Sequence, residues 1–115
     1  MADKNEVEKF LADFKIKAKT FGIIYRDDRK KNIETIAILD IYPNKRTEII
    51  NNLSVYDYSE GPIKDTLNQS TDLWVFGKII KGKEVYIKIT IGIQNSYTIC
   101  ISFHISEHPI KYKFK

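Results

Sequence analysis

Between Glu84 and Ser106 the sequence alternates, and this narrows the possible folds more than any other stretch. Val85, Ile87, Ile89, Ile91 and Ile93 take odd positions, with Tyr86, Lys88 and Thr90 between them. Tyr97, Ile99, Ile101, Phe103 and Ile105 repeat the pattern against Thr98, Cys100, Ser102 and His104. Apolar residues at every second position spell two β-strands, each with an apolar and a polar face. Residues opposite each other in a pair share a face, so odd must meet odd. A two-residue turn at Asn95-Ser96 would pair Gln94 with Tyr97 and mix the faces. A three-residue loop pairs Ile93 with Tyr97, which sets Tyr86 opposite His104 and Lys88 opposite Ser102. A slip of two residues sets Lys88 opposite His104 instead. In either register a phenol, an ammonium and an imidazole gather on the polar face of a central hairpin.

The flanking sequence supplies something to cover the apolar face. Residues 4–19 read as an amphipathic helix with Val7, Phe10, Leu11, Phe14 and Ala18 on one side, Asp3 as its cap and Gly22 as its stop. Gly22–Arg26 is a strand or a connector, and Arg26–Lys31 a charged loop. A second helix is expected over Asn32–Asp40 with Ile33, Ile36 and Ala37 inward. Pro43 ends that pattern, and a third short helix opens near Asn44, with Ile49, Ile50 and Leu53 apolar. Asp57–Pro62 (DYSEGP) signals a turn in a polar connection running to Asp72. Leu73–Ile80 forms another strand, turned back by Lys81-Gly82-Lys83. A turn of three to five residues would place Trp74, Phe76 and Lys78 on the face of Tyr86. A two-residue turn at Gly82-Lys83 would bury the two aromatics and point Lys78 inward. The first is the expectation, because burying an unpaired lysine is costly. The tail from His108 to Lys115 alternates apolar with basic and suits an edge strand or an extended arm. Helices on one face of a mainly antiparallel sheet make a two-layer α+β domain spanning residues 1–115.

Composition excludes several classes. At 115 residues and 43% hydrophobic, the chain can bury a core of its own. No apolar run approaches the roughly 20 residues of a membrane span, and no leader is visible, so a cytoplasmic protein is expected. One cysteine and two histidines match no zinc spacing, so no metal or other cofactor is expected. The net charge of +4 is uneven: residues 1–77 carry 12 Lys/Arg against 13 Asp/Glu, and residues 78–115 carry 7 Lys against 2 Glu. A positive sheet and tail suit a polyanion, although lysines also guard sheet edges.

These residue types fit RNA cleavage without a metal, which requires a base, a cation and an acid around one phosphate. His104 and Tyr86 are candidates for proton transfer, Lys88 and Lys78 for holding the phosphate. Glu60 is a possible second base if its loop closes over the face. Trp74 and Phe76, if exposed, offer stacking surfaces to bases. Lys83, Lys111 and Lys113 complete the candidate RNA-binding set. Each also has an ordinary structural reading, as cross-strand partner, core aromatic or solvated charge. Cys100 on the polar face could be a nucleophile, but no thiol–histidine signature accompanies it.

The order DYSEGP, DLWVFGK at Asp72–Lys78, KGKEVYIKI at Lys81–Ile89 and ICISFH at Ile99–His104 resembles the MqsR-type toxins of bacterial toxin–antitoxin systems. The similarity covers nearly the whole chain, and the spacing from VYIKI to ISFH is its most specific part. It implies a RelE-like α+β fold and an mRNA endoribonuclease, neutralised by a cognate antitoxin and with the ribosome as a further candidate partner. By the same resemblance Tyr86 holds an active-site position, and His104 stands where a lysine is common. Glu60 replaces an expected lysine and Val75 an expected glutamine. Those two departures favour the alternative, a non-catalytic RNA- or protein-binding module on a toxin-like fold.

Overall fold

The computed structural model describes residues 1–66 and 71–115. Three helices accompany a five-stranded sheet: α1 (Lys4–Phe21), β1 (Ile23–Tyr25), α2 (Lys30–Leu39), α3 (Pro43–Asn51), a 3-10 turn (Val55–Asp57), β2 (Tyr58–Ile63), β3 (Leu73–Ile80), β4 (Lys83–Thr90) and β5 (Thr98–Ile105). The sheet order is β1-β5-β4-β3-β2, with β1 parallel to β5 and every other pair antiparallel. The fold class is therefore α+β. No helix among the described residues is long and apolar enough to cross a membrane.

Helix α1 forms as its spacing predicts. Asp3 and Glu6 close a capping box, and Val7, Phe10, Leu11, Phe14 and Ala18 are buried. Phe10 stacks on Trp74 at 4.4 Å and approaches Phe76 at 6.2 Å, which seats the helix on the sheet. Pro43 occupies the first turn of α3, where its missing N–H costs nothing, and Ile49, Ile50 and Leu53 are buried.

Helix α2 departs from its expected orientation. Its inward residues are Asn32, Thr35 and Leu39, while Ile33 and Ala37 are exposed and Ile36 is half-buried. The cause lies in β5. Strand β1 covers only Thr98–Cys100, so the edge beyond needs other partners. Asn32 Nδ2 donates to the Ile101 carbonyl at 3.0 Å, the Phe103 N–H donates to Asn32 Oδ1 at 3.1 Å, and the Ile105 N–H donates to Thr35 Oγ1 at 2.9 Å. Satisfying an otherwise orphaned strand edge outweighs burying an isoleucine.

The β3–β4 connection is a two-residue turn at Lys81-Gly82, pairing Ile80 with Lys83. Both turn residues have positive φ, 50° and 80°, the hand that matches twisted hairpins and that glycine adopts without strain. The expectation of a longer turn is corrected, and so are the faces. Phe76 pairs with Ile87 and is fully buried; Trp74 pairs with Ile89 and packs on the core; Lys78 pairs with Val85. Lys78 is not the unpaired charge that disfavoured this arrangement, because its Nζ lies 3.1 Å from Asp57 Oδ2.

Three further expectations change. DYSEGP is not a loop: after the 3-10 turn it is edge strand β2, with Glu60 paired to Val75. The connection to β3 includes residues 67–70, which lie outside the described residues. Strand β4 ends at Thr90, so no three-residue loop joins it to β5. The register between them shifts at Lys88/Ile89, pairing Ile89 with Cys100. That irregularity turns Cys100 into the core, where burial pushes its thiol up to about 12. Cys100 is therefore not on the polar face and is no nucleophile there.

Candidate active site

The face of the sheet opposite α1 carries two adjacent cross-strand rows. One runs Gly77–Tyr86–His104; the next runs Glu60–Val75–Lys88–Ser102. Strict alternation on β4 and the C-terminal half of β5 creates this grid, because neighbouring polar positions on one face stand one pleat apart. Of the two registers that alternation allows, the one pairing Tyr86 with His104 and Lys88 with Ser102 is observed. Their rings stack at 5.2 Å with an 18° angle, and Lys88 Nζ lies 5.7 Å from the centre of the Tyr86 ring.

This face is not fully open. Residues 108–115 form an extended arm rather than a strand and are tied down at several points. The Ile110 N–H donates to Glu84 Oε1 at 2.9 Å, and the Tyr112 hydroxyl donates to Glu84 Oε2 at 2.8 Å. The Lys113 N–H donates to the Tyr58 carbonyl, and Phe114 stacks on Tyr58 at 5.7 Å. Gly77 makes the crossing possible: a Cβ there would lie 2.5 Å from the Tyr112 hydroxyl and 2.7 Å from Ile110 Cδ1. What remains between arm and sheet is a cleft of about 560 Å³, onto which Glu60, Tyr86, Lys88, Ser102, His104 and Lys111 all open.

Arg29 also lines the cleft, and nothing in the charged run Arg26–Lys31 distinguished it. Its Nη1 donates to the Ile101 carbonyl and to Ser102 Oγ, both at 3.3 Å, which fixes the guanidinium beside the Lys88–Ser102 row. His108 and Glu107 join from the start of the arm. Cations thus predominate, with Glu60 and Glu107 as the carboxylates among the lining residues.

Several of these groups are unspent. Among the described residues, Lys88 Nζ, the Tyr86 hydroxyl and the Glu60 carboxylate have no hydrogen-bond partner. Tyr86 and Lys88 are half-buried and Glu60 is exposed, so all three polar ends face the cleft and are available to a ligand there. Desolvation raises the Tyr86 phenol above its ordinary range, Glu60 reinforces this, and Arg29 opposes it. Tyr86 is therefore a neutral hydrogen-bond donor, not a base. His104 Nδ1 lies 3.0 Å from the Ile105 carbonyl, which only accepts, so Nδ1 bears a proton and Nε2 is the exchanging nitrogen.

The remaining sequence candidates lie elsewhere. Trp74 and Phe76 serve the core, so neither offers bases a platform on this face, and Lys78 is held by Asp57. Lys83 is exposed at the start of β4, and Lys113 Nζ donates to the Ala2 carbonyl at 2.6 Å. Among the described residues no group of three or more His, Cys, Asp or Glu is placed to hold a metal ion. No family model matches the sequence, and neither a curated protein nor a solved structure matches it.

Proposed function

We propose that this protein is a metal-independent endoribonuclease, the mRNA-cleaving toxin of a toxin–antitoxin pair built on a RelE-like plan. The observation that carries the reading is the convergence of Glu60, Tyr86, Lys88, His104 and Arg29 on one cleft, the first three having no side-chain hydrogen bond among the described residues. The MqsR-type resemblance supplies the toxin context; the chemistry stands on the side chains. Glu60 takes the proton of the 2′-hydroxyl as that oxygen bonds to phosphorus. Lys88, Arg29 and the Tyr86 hydroxyl hold the non-bridging oxygens as negative charge builds. His104 Nε2 returns a proton to the 5′-oxygen as the P–O5′ bond breaks. The products are a 2′,3′-cyclic phosphate and a 5′-hydroxyl.

The test is purified protein on a defined single-stranded RNA, with end-group analysis, in the presence and absence of EDTA. Cleavage with these ends in both conditions is expected. A 3′-hydroxyl product, or activity abolished by the chelator, would overturn the mechanism. In cells, expression should arrest growth, and a co-expressed neighbouring gene product should reverse it. Glu60 favours a second reading, a non-catalytic module, because a carboxylate also repels phosphate. RNA binding with no cleavage would support that reading.

A further inference from the structure

Beyond the cleft, α2 and β5 enclose a separate hollow of about 320 Å³, lined by Arg29, Lys30, Lys31, Asn32 and His104. It shares Arg29 and His104 with the cleft, so the two concavities adjoin at those side chains. Its remaining charged wall is wholly basic. Lys30 is only loosely engaged, 3.6 Å from Glu34 with its side chain 89% exposed, and Lys31 pairs with the exposed Glu107. Arg29 is anchored through Nη1 alone, leaving the rest of its guanidinium without a protein partner among the described residues. Asn32, by contrast, is consumed by the edge of β5 and contributes shape rather than binding.

We propose that this hollow is a second phosphate subsite, holding the RNA backbone phosphate next to the one under attack. The inference rests on the ribonuclease reading and adds where the strand runs: out of the cleft past His104, over Arg29, and along Lys30 and Lys31. Three consecutive basic side chains without base-sized apolar walls recognise backbone, not sequence, so the subsite positions RNA without selecting bases. Arg29 sits at the junction and bridges both phosphates. Lys30 and Lys31 belong to the second subsite alone.

The experiment measures binding of a fluorescent 2′-O-methyl hexanucleotide, which cannot be cleaved, across a salt series. The proteins compared are the wild type, Lys30→Ala/Lys31→Ala and the charge-matched control Lys9→Ala/Lys19→Ala on α1. All four lysines are exposed, so both variants should fold. Each phosphate neutralised on a single strand contributes a slope of about −0.7 in log K against log salt, so the Lys30/Lys31 variant should lose about 0.7 of slope. The control should keep the wild-type slope. An unchanged slope for Lys30→Ala/Lys31→Ala overturns the subsite while leaving the cleft standing. Equal losses in both variants also overturn it, as they indicate diffuse charge. Wild-type protein that fails to bind the oligonucleotide overturns both readings. Wild-type protein that binds it but does not cleave the ribo-version overturns the enzymatic reading and leaves the subsite to be decided by the slopes.

Discussion

Substituting Gly77→Ala should detach the C-terminal arm. The added Cβ would stand 2.5 Å from the Tyr112 hydroxyl, 2.7 Å from Ile110 Cδ1 and 3.0 Å from Tyr112 Cε1, so the arm side chains have to move. Moving Tyr112 breaks its bond to the Glu84 carboxylate, and hydrogen bonds to charged groups contribute roughly 1.5–3 kcal/mol. Against this, alanine restricts the unfolded chain and returns about 0.4–1 kcal/mol. The net expectation is a loss of about 1–2 kcal/mol. With a urea slope of roughly 1–3 kcal/mol/M, the unfolding midpoint falls by about 0.3–2 M. Trypsin provides the local readout, since Lys111 and Lys113 lie on the arm: cleavage there should accelerate before the core opens. A variant as stable as the wild type, or more so, with unchanged proteolysis would refute the claim that the arm is seated on this glycine.

Other parts of the fold give sharp expectations. Asn32→Ala leaves the Phe103 N–H and the Ile101 and Arg26 carbonyls without this partner, so chemical denaturation should show a loss of about 2–4 kcal/mol. Lys78→Ala breaks the ion pair with Asp57 and should lower stability while leaving the salt slope of RNA binding unchanged; a reduced slope would return Lys78 to the RNA track. At alkaline pH, burial holds the phenols of Tyr25, Tyr58, Tyr86 and Tyr112 above their ordinary 10.0 and the Cys100 thiol above its ordinary 9.0. The native state keeps protons that the unfolded chain releases, so this stabilisation is complete below about pH 9 and is lost as pH rises through the folded values. Urea midpoints should be flat from pH 7 to about 8.5 and fall above about 10; a midpoint that rises there would reverse the sign.

The central hairpin was legible because its polar face is continuous: alternation puts Tyr86, Lys88, Ser102 and His104 on one face but leaves two registers open, and the longer loop and the register shift decide between them. Cys100 was misplaced because the alternation runs on through the irregularity beside Ile101, and a bulge leaves no mark in hydropathy. Trp74 and Phe76 depended on turn length. The cost of burying Lys78 decided that question wrongly, since its partner Asp57 comes from a distant turn that strand patterning does not reveal. Helix α2 misled for a related reason. Asn32 and Thr35 face inward to complete hydrogen bonds for a strand about 70 residues away, a demand set by topology rather than by local sequence. Arg29 was missed in the same way, as its position follows from the Ile101 carbonyl and Ser102. Glu60 does reach this face, but from edge strand β2 rather than from a loop folded over it.

Single-turnover cleavage of a defined RNA by the wild type, His104→Ala and Tyr86→Phe tests the central claim most directly, with circular dichroism confirming that each variant folds. Both side chains are only half-buried, so the substitutions should spare the fold. Removing a group that transfers a proton costs typically 10²–10⁴ in rate, so His104→Ala should fall by about that factor. Tyr86→Phe, which removes a neutral donor to the phosphate and keeps the stacked ring, should fall by about 10-fold or more, as loss of a charge-assisted hydrogen bond implies. Wild-type rates in both variants would contradict the assignment of this cleft as the catalytic centre.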